Sequence, residues 1–530
     1  MRTHSSCSRS QQRDAMKLNP WTAVSLAAAA LTLPAIAADW PQYRGPIHDG
    51  SSPESIRTNW TASPPRVLWR RSIAPGWSSI VVSGNRAFTQ VRRTSGGSPR
   101  EFCVALDTAT GNELWAREVD TGTYSDLAGY DNNIDGPRST PSVDGNFVYV
   151  LTSYLKLLCL RADTGAVVWR RDFIAEFPGT NVIEWQNAAS PLLVGDLIYL
   201  NANVSGNRLT AVRKSNGTTA WRGQNDAMTH ATPTFATLGG IPQVVFLTMS
   251  GLVGVDPAAG NVLWRYAFTP SITSTAATPI AVGDVVYASA AYGRGAWTAR
   301  VRRSGSAFTV TDTNFRQSTS NQNHWASPIL HNGFVYSIVE RSLRSLGCYD
   351  PVNRTNAWTT STVGTRNPGF ASLIKAGGVL VVLTEGGELV LVDPSPTAYR
   401  ELGRFQALSE YCWNHPALSN GRLYARSSSE IIALDVAPPS VPFPPYRLAM
   451  SLNPANTLLA VAVRGEGDSL LPPDAGSRLT LQSANAFRGT GTQWSDETVV
   501  WTGSGAEWTT TLPAPVDSRV YRAIEKGGTR

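Results

Sequence analysis

The sequence predicts an all-β chain: an eight-bladed β-propeller closed by an N-terminal strand, followed by a small C-terminal β module. Two phrases that alternate along the chain and one property of its composition predict it. A hairpin phrase opens eight times, in steps of 42 to 61 residues, the repeat length of propellers and solenoids. A second phrase, ending in Trp, falls between the hairpins. The 530 residues include 45 Gly, 34 Pro and 17 Trp, and only 16% are charged, which suits short strands and tight turns. The same mixture argues against a helical bundle and against a disordered chain.

Residues 1–37 have the layout of a secretory signal peptide. Lys17 precedes an apolar run from Trp21 to Leu33, then come Pro34 and the small-residue site Ala35-Ile36-Ala37. Cleavage is expected before Ala38, and Met16 offers a second start. The apolar run is short and Ala-rich for a bilayer span, and no other stretch of the mature chain reads as a transmembrane segment. No Cys stands at the cleavage point, so a lipid anchor is not expected. The chain is expected in the periplasm or outside the cell. Of the net charge of +7, the leader carries +3 and the remainder +4. With no dense Lys/Arg run, a nucleic-acid partner is not expected.

Residues 38–65 form an N-terminal extension, and 66–437 carry the repeats. The first phrase runs from Ser/Thr-Pro through a Gly- or Asn-containing turn to an aromatic that ends a hydrophobic run. Its spacing is constant in Pro141/Tyr149, Pro191/Tyr199, Pro279/Tyr287, Pro328/Tyr336 and Pro416/Tyr424. Ile80/Phe88 and Leu373/Val381 keep the spacing without Pro, and Pro233 opens a copy with a longer turn. Strand, tight turn, alternating strand is a β-hairpin. The second phrase is complete at Ala105, Asp107, Thr110, Gly111 and Trp115. It recurs from Gly254 to Trp264, and in shorter form before Trp169, Trp221 and Trp358. A Trp at a fixed place in each unit is expected to pack between neighbouring sheets; Trp69, Trp115, Trp169, Trp221, Trp264 and Trp358 are the docking set.

Closure follows from an orphan. The last copy ends at Ile431-Ile432-Ala433-Leu434-Asp435 with no Trp strand after it, while Arg66 to Arg71, holding Trp69, precedes the first copy. Placing that segment as the outer strand of the last blade joins the ends and removes an exposed sheet edge.

The Trp phrase resembles the tryptophan-docking motif of pyrroloquinoline-quinone (PQQ)-like β-propeller repeat proteins, the quinoprotein-type superfamily of exported bacterial propellers. Asp39-Trp40-Pro41-Gln42-Tyr43-Arg44-Gly45-Pro46 is similar to the segment that opens many of them, and Cys412 to Asp435 to their last blade. The resemblance covers 39–437 and implies the fold; the architecture hosts dehydrogenases, assembly scaffolds and other secreted proteins alike. Beyond it, 438–445 reads as a stiff Pro-rich linker. Residues 446–530 read as a small β-sandwich-like module, with strands near 457–463, 478–482, 498–501, 508–512 and 518–523.

Propellers bind over the central channel, where the innermost strands begin. The residue three before each hairpin belongs to that mouth: Trp77, Arg138, Ala188, His230, Ala276, Trp325, Phe370 and Trp413. Gln186, Asn187, His324, Asn414 and His415 flank it. Aromatic faces with fixed donors suit a planar or anionic ligand; the plain alternative is that these side chains fill the axis. The resemblance implies PQQ and calcium as cofactors for a dehydrogenase, yet neither has a complete motif here. Asp131, Asn133 and Asp135 match the opening of a calcium loop, but the twelfth position is Ser142 where a Glu belongs. Cys103, Cys159, Cys348 and Cys412 show no metal or haem spacing, and the first three occupy one place in the repeat, so buried free thiols are expected. With no catalytic residue indicated, the preferred expectation is a non-catalytic, monomeric binding or interaction scaffold. Its partner would be a protein or glycan of the cell envelope. The alternatives are a PQQ/calcium-dependent alcohol or sugar dehydrogenase and an outer-membrane protein assembly scaffold.

Overall fold

The computed structural model describes residues 39–124, 135–270, 275–312, 321–340, 343–409 and 411–438. It also describes 446–452, 458–465, 470–471, 479–484, 495–497, 499–504, 507–513 and 520–525. The leader and the 439–445 part of the linker lie outside these residues. Ala37–Pro444 form one compact unit and Pro445–Arg530 belong to a second.

In the first unit eight antiparallel sheets succeed one another, one per hairpin copy. Their innermost strands are Val81–Ser83, Ser142–Asp144, Leu192–Val194 and Thr234–Leu238 for blades 1 to 4. Ile280–Val282, Ile329–His331, Ser372–Ala376 and Ala417–Ser419 follow for blades 5 to 8. The outer strand of blade 8 is Arg66–Ser72, antiparallel to Glu430–Asp435, with Trp69 opposite Ala433. The fold is a β-propeller whose first repeat strand completes its last blade. The four-residue turn Phe173–Glu176 is the α-helix among the described residues, and no described helix is long and apolar enough to cross a membrane.

The recurrent Ser/Thr before Pro has a structural task. Innermost strands are sheet edges, so their N–H groups need partners from the neighbouring blade. Thr140 Oγ1 accepts from Ser79 N at 3.0 Å, and Ser190 Oγ accepts from Thr140 N at 2.9 Å. Thr232 Oγ1 accepts from Ser190 N, Ser327 Oγ from Thr278 N, and Ser79 Oγ from His415 N. The last of these bridges blade 8 to blade 1.

On the outer side, Trp69, Trp115, Trp169 and Trp221 each reach the turn of the following blade. Their indole N–H groups donate to the carbonyls of Thr108, Ala162, Lys214 and Pro257 at 2.8–3.0 Å. The ring lies against a turn glycine: a Cβ built on Gly111 would stand 2.5 Å from Trp69, and the same holds at Gly165, Gly217 and Gly260. Gly111 is required twice over, since its φ is +71° as well. Trp358 donates to Ser395 O of blade 7 and packs on Tyr399 instead of a glycine.

Trp264 is buried in one cluster with Val286, Ala288, Ala299 and Val301 of blade 5, but its N–H partner differs from those of the other docking indoles. Its N–H donates to Gln243 Oε1 of its own sheet at 2.6 Å, because blade 5 offers no Thr-Gly turn to receive it. The cysteine register also needs correction. Cys159 and Cys348 face Trp169 and Trp358 across the ladder, but Ala105 holds that place opposite Trp115. Cys103 is displaced by two residues; all four thiols are buried and unbridged.

The N-terminal extension crosses the ring at the end away from the residues that precede the hairpins. Trp40 pairs with Val82 of blade 1, Pro41 O accepts from Val143 N of blade 2, and Gln42 Oε1 from Leu193 N of blade 3. Tyr43 OH meets Ser327 Oγ and Arg44 donates to Pro328 O of blade 6. Ser51–Ser52 add a parallel fifth strand to blade 7, and the Glu54 carboxylate accepts the Asn420 and Gly421 N–H groups of blade 8. The segment stoppers one end of the channel.

The second unit holds two antiparallel sheets. Tyr446–Leu452, Leu458–Gly465, Glu507–Pro513 and Thr502–Ser504 form one; Ser495–Asp496, Leu479–Ala484 and Val520–Glu525 form the other. The strand read near 498–501 lies further on, at Thr502–Ser504, with Trp501 buried before it.

Candidate functional site

In an up-and-down sheet, the residues before strand one and the turn after strand two reach the same end. At that end the propeller opens on a cavity of about 500 Å³, within the range of small-molecule sites. Trp77, Arg138, Ala188 and His230 line one part of its wall, and Ala276, Trp325, Phe370 and Trp413 the rest. Tyr43 and His415 lie at the floor, ring centroids 5.2 Å apart and edge to face, so the N-terminal stopper leaves a blind pocket.

Blades 6, 7, 8 and 1 supply an aromatic arc. Trp77 stacks on Trp413 at 4.4 Å, and Trp325 on Phe370 at 4.1 Å. Trp325 and Trp413 meet at 5.2 Å, joining the pairs. Two N–H groups fix the arc: Trp77 donates to Asp135 Oδ1 and Trp413 to Glu385 Oε1. The Trp325 N–H is buried without a hydrogen bond.

The charged groups of the wall come in neutral couples. Arg138 binds both oxygens of Asp135 at 3.0 and 3.1 Å, and Arg344 binds Glu340 at 3.4 Å. The histidines add no charge near neutral pH. Burial, with Arg138 adding to it, pushes His230 down to about 4, and burial beside Arg44 pushes His415 to about 3. His324 is also lowered by burial, against the pull of Glu340. His415 Nε2 and Arg138 Nη1 form no hydrogen bond, while the buried His230 ring faces the backbone of Glu184 and Gln186. Buried polar atoms rarely stay unpaired, and those on the cavity wall leave hydrogen-bonding capacity for a ligand or ordered water.

Three flanking residues do not line the cavity. Asn187 spends its amide on Thr152 O, Ala189 O and Ala189 N, and Asn414 donates to Ser78 O of blade 1. Gln186 is buried behind Trp185 in a left-handed turn, with φ +56°. These residues brace the wall. Sequence reading missed Tyr43, Trp185, Tyr292, Glu340 and Arg344, all on the cavity. The last three follow second strands, a position that hairpin topology puts at the mouth, so the signal was there to use.

The calcium-loop reading falls partly outside the described residues, where Asp131 and Asn133 lie. Asp135 is buried, and its carboxylate is taken by Trp77, Gly136 N and Arg138. Among the described residues no group of three or more His, Cys, Asp or Glu is placed to hold a metal ion. The cavity carboxylates, Asp135 and Glu340, stand on blades 2 and 6, each matched by its own arginine. A calcium-bound tricarboxylate quinone needs a shared carboxylate or amide cage and surplus positive charge. Among the described residues, the donors present do not fit it.

Comparison with known proteins agrees with the repeat reading. A family model described as outer membrane protein assembly factor BamB matches residues 100–360. Over those residues the chain carries the PQQ-like β-propeller repeat. Among solved structures it is similar to quinohemoprotein alcohol dehydrogenase from Comamonas testosteroni. That likeness has TM-score 0.54 and 13% identity, over 80% of this chain and 85% of that one. It is similar also to quinohemoprotein alcohol dehydrogenase ADHIIG from Pseudomonas putida HK5, with TM-score 0.53 and 12% identity, over 79% and 84%. At such identities the likeness concerns the fold. No curated protein matches the chain.

Proposed function

We propose that the protein is an exported envelope protein whose blind channel mouth binds an uncharged ring compound, a sugar ring of an envelope glycan. One observation carries this reading: an aromatic arc faces a set of ion pairs that cancel, with unpartnered buried polar atoms between them. A pyranose offers an apolar face to stack on indole and hydroxyls that both donate and accept. Arg–Asp and Arg–Glu couples present a donor and an acceptor side by side, the complement of such hydroxyls. An anion would meet no uncompensated charge.

The test uses residues 38–530, followed by tryptophan fluorescence and calorimetry. Neutral oligosaccharides should give saturable binding that is lost in the Trp325→Ala/Trp413→Ala double variant. Binding that survives the double variant, or tighter binding of PQQ with calcium, would overturn the reading. A second reading, a protein-assembly scaffold, draws on the description of the matching family model. It predicts capture of an envelope protein that the double variant leaves intact.

A further inference from the structure

We propose that Tyr292 is a base-activated phenol on the cavity wall, served by His324 and Glu340, and that it exchanges a proton with the bound ring compound. The substrate part rests on the binding reading above; the activation of the phenol does not.

Tyr292 stands in the turn after Val285–Ala290, with φ +57°. A bulky side chain is rarely held in the left-handed region, and such strain gathers at functional sites. The residue is 56% exposed, so core packing does not explain the strain. The hydroxyl lies 3.1 Å from His324 Nε2, and His324 Nδ1 lies 3.1 Å from Glu340 Oε1. Gln322 holds the two turns in register, accepting from Gly293 N at 2.7 Å and donating to Glu340 O at 3.0 Å.

Chemistry then fixes the protons. The Glu340 carboxylate, paired with Arg344, accepts from Nδ1, so Nδ1 carries the imidazole hydrogen and Nε2 is left as an acceptor. The Tyr292 O–H therefore points its proton at a base. Burial favours the neutral imidazole, and Trp325 and Phe370 pack on the ring at 4.4 and 5.0 Å. Carboxylate, imidazole and hydroxyl in this order form the arrangement that activates nucleophiles. The proton of Tyr292 passes to Nε2, Glu340 stabilises the imidazolium, and the phenolate takes a proton from a ring hydroxyl or an acidified ring C–H. The steps reverse to return a proton to the ligand, so no electron is gained or lost and no co-reactant is needed. Tyr292 is the catalytic residue of this scheme; His324 and Glu340 position and discharge it.

An aryl sulfonyl fluoride reads the activation without knowledge of the ligand. The phenol oxygen attacks sulfur, the S–F bond breaks, fluoride leaves, and the proton goes to His324. Peptide mass spectrometry should show Tyr292 labelled about tenfold or more faster than Tyr411, which is 49% exposed. His324→Gln and the isosteric Glu340→Gln should each remove most of that advantage while the Tyr411 rate stays put. Equal rates at the two tyrosines, or a Tyr292 rate indifferent to both variants, would overturn the proposal. A neutral oligosaccharide should protect Tyr292; fast labelling without protection would sink the substrate part and leave the activated phenol standing.

Discussion

The seams running from blade 8 to blade 4 and the seams on either side of blade 5 are built differently. At the former, Trp69, Trp115, Trp169 and Trp221 each lie flat on the next blade's turn glycine. At the latter, Trp264 packs towards blade 5 without a turn glycine beneath it, and its N–H bonds within its own sheet to Gln243. The outer strand of blade 5, Ala307–Asp312, has no Trp, and the blade 6 turn it would have met carries Arg354 at φ +63° in place of a glycine. Between blades 5 and 6 indole and glycine are both absent, since the glycine's empty space has a purpose there only when a ring fills it. The irregular stretch is also where Tyr292, Gln322, His324 and Glu340 come together. Repetition holds the ring closed, and departures from it leave side chains free for the cavity.

The largest break in this comparison is removal of Arg66–Ser72. Blade 8 would keep three strands and an open edge, and the Gly111 turn would lose its indole. Loss of cooperative unfolding, with association on size-exclusion chromatography, is expected. A normal calorimetric transition in that deletion would mean that the ring does not depend on its closing strand.

Next come the seams themselves. Trp115→Ala should cost about 3 kcal/mol, the low end of the loss for a large aromatic, because Trp115 is only partly buried. Gly111→Ala should cost about 3 kcal/mol, from a left-handed Cβ and a clash with Trp69. Arg354→Gly, at the corresponding place of blade 6, should change stability by under about 1 kcal/mol, since relief of strain offsets a freer unfolded chain. Urea unfolding of the three variants checks the ranking. Similar losses at Gly111 and Arg354 would erase the distinction between the two kinds of seam.

Much of the fold could be read from spacing. The fixed interval between Pro141 and Tyr149 and in its four counterparts sets inner hairpins, and the orphan strand at Trp69 implies closure. Cavity residues that share one place in the repeat, such as Trp77, Trp325 and Trp413, are reached by the same period. Tyr292 sits in a turn of blade 5, and Glu340 ends the second strand of blade 6 while Arg344 opens its third; topology puts all three at the mouth, but no repeated residue type marks them, and the Tyr292–His324 contact joins two blades. The N-terminal stopper was beyond reach for a related reason. Its contacts join Gln42 to Leu193 and Tyr43 to Ser327, across separations that no local pattern encodes. The signal-peptide reading and the Asp131–Asn133 part of the calcium loop concern residues outside those described.

The smallest expected effect concerns charge at the mouth, and it decides what kind of ligand the cavity suits. His230 and His415 titrate in the native state near 4 and 3, below the ordinary histidine value of about 6.5. Between those values the unfolded chain binds more protons than the folded one, so stability falls as pH is lowered from about 6.5 toward 4. Each group costs up to about 1.4 kcal/mol per pH unit in that window. Glu101, buried and raised to about 7, acts in the opposite sense: the folded state holds its proton between about 7 and 4.5, so acid stabilises it there. Glu101 offsets the slope of one histidine, while His48, lowered by burial to about 4, adds to that of His230 and His415, so the wild-type protein should still lose stability on acidification, less steeply than without Glu101. In a Glu101→Gln background the histidine slope should stand out, with urea midpoints falling from pH 6.5 to 5, and His415→Phe should reduce it. A midpoint that rises on acidification in that background would mean that the histidines are charged in the folded state. The cavity would then carry surplus positive charge, and an anionic ligand would suit it better than a neutral sugar.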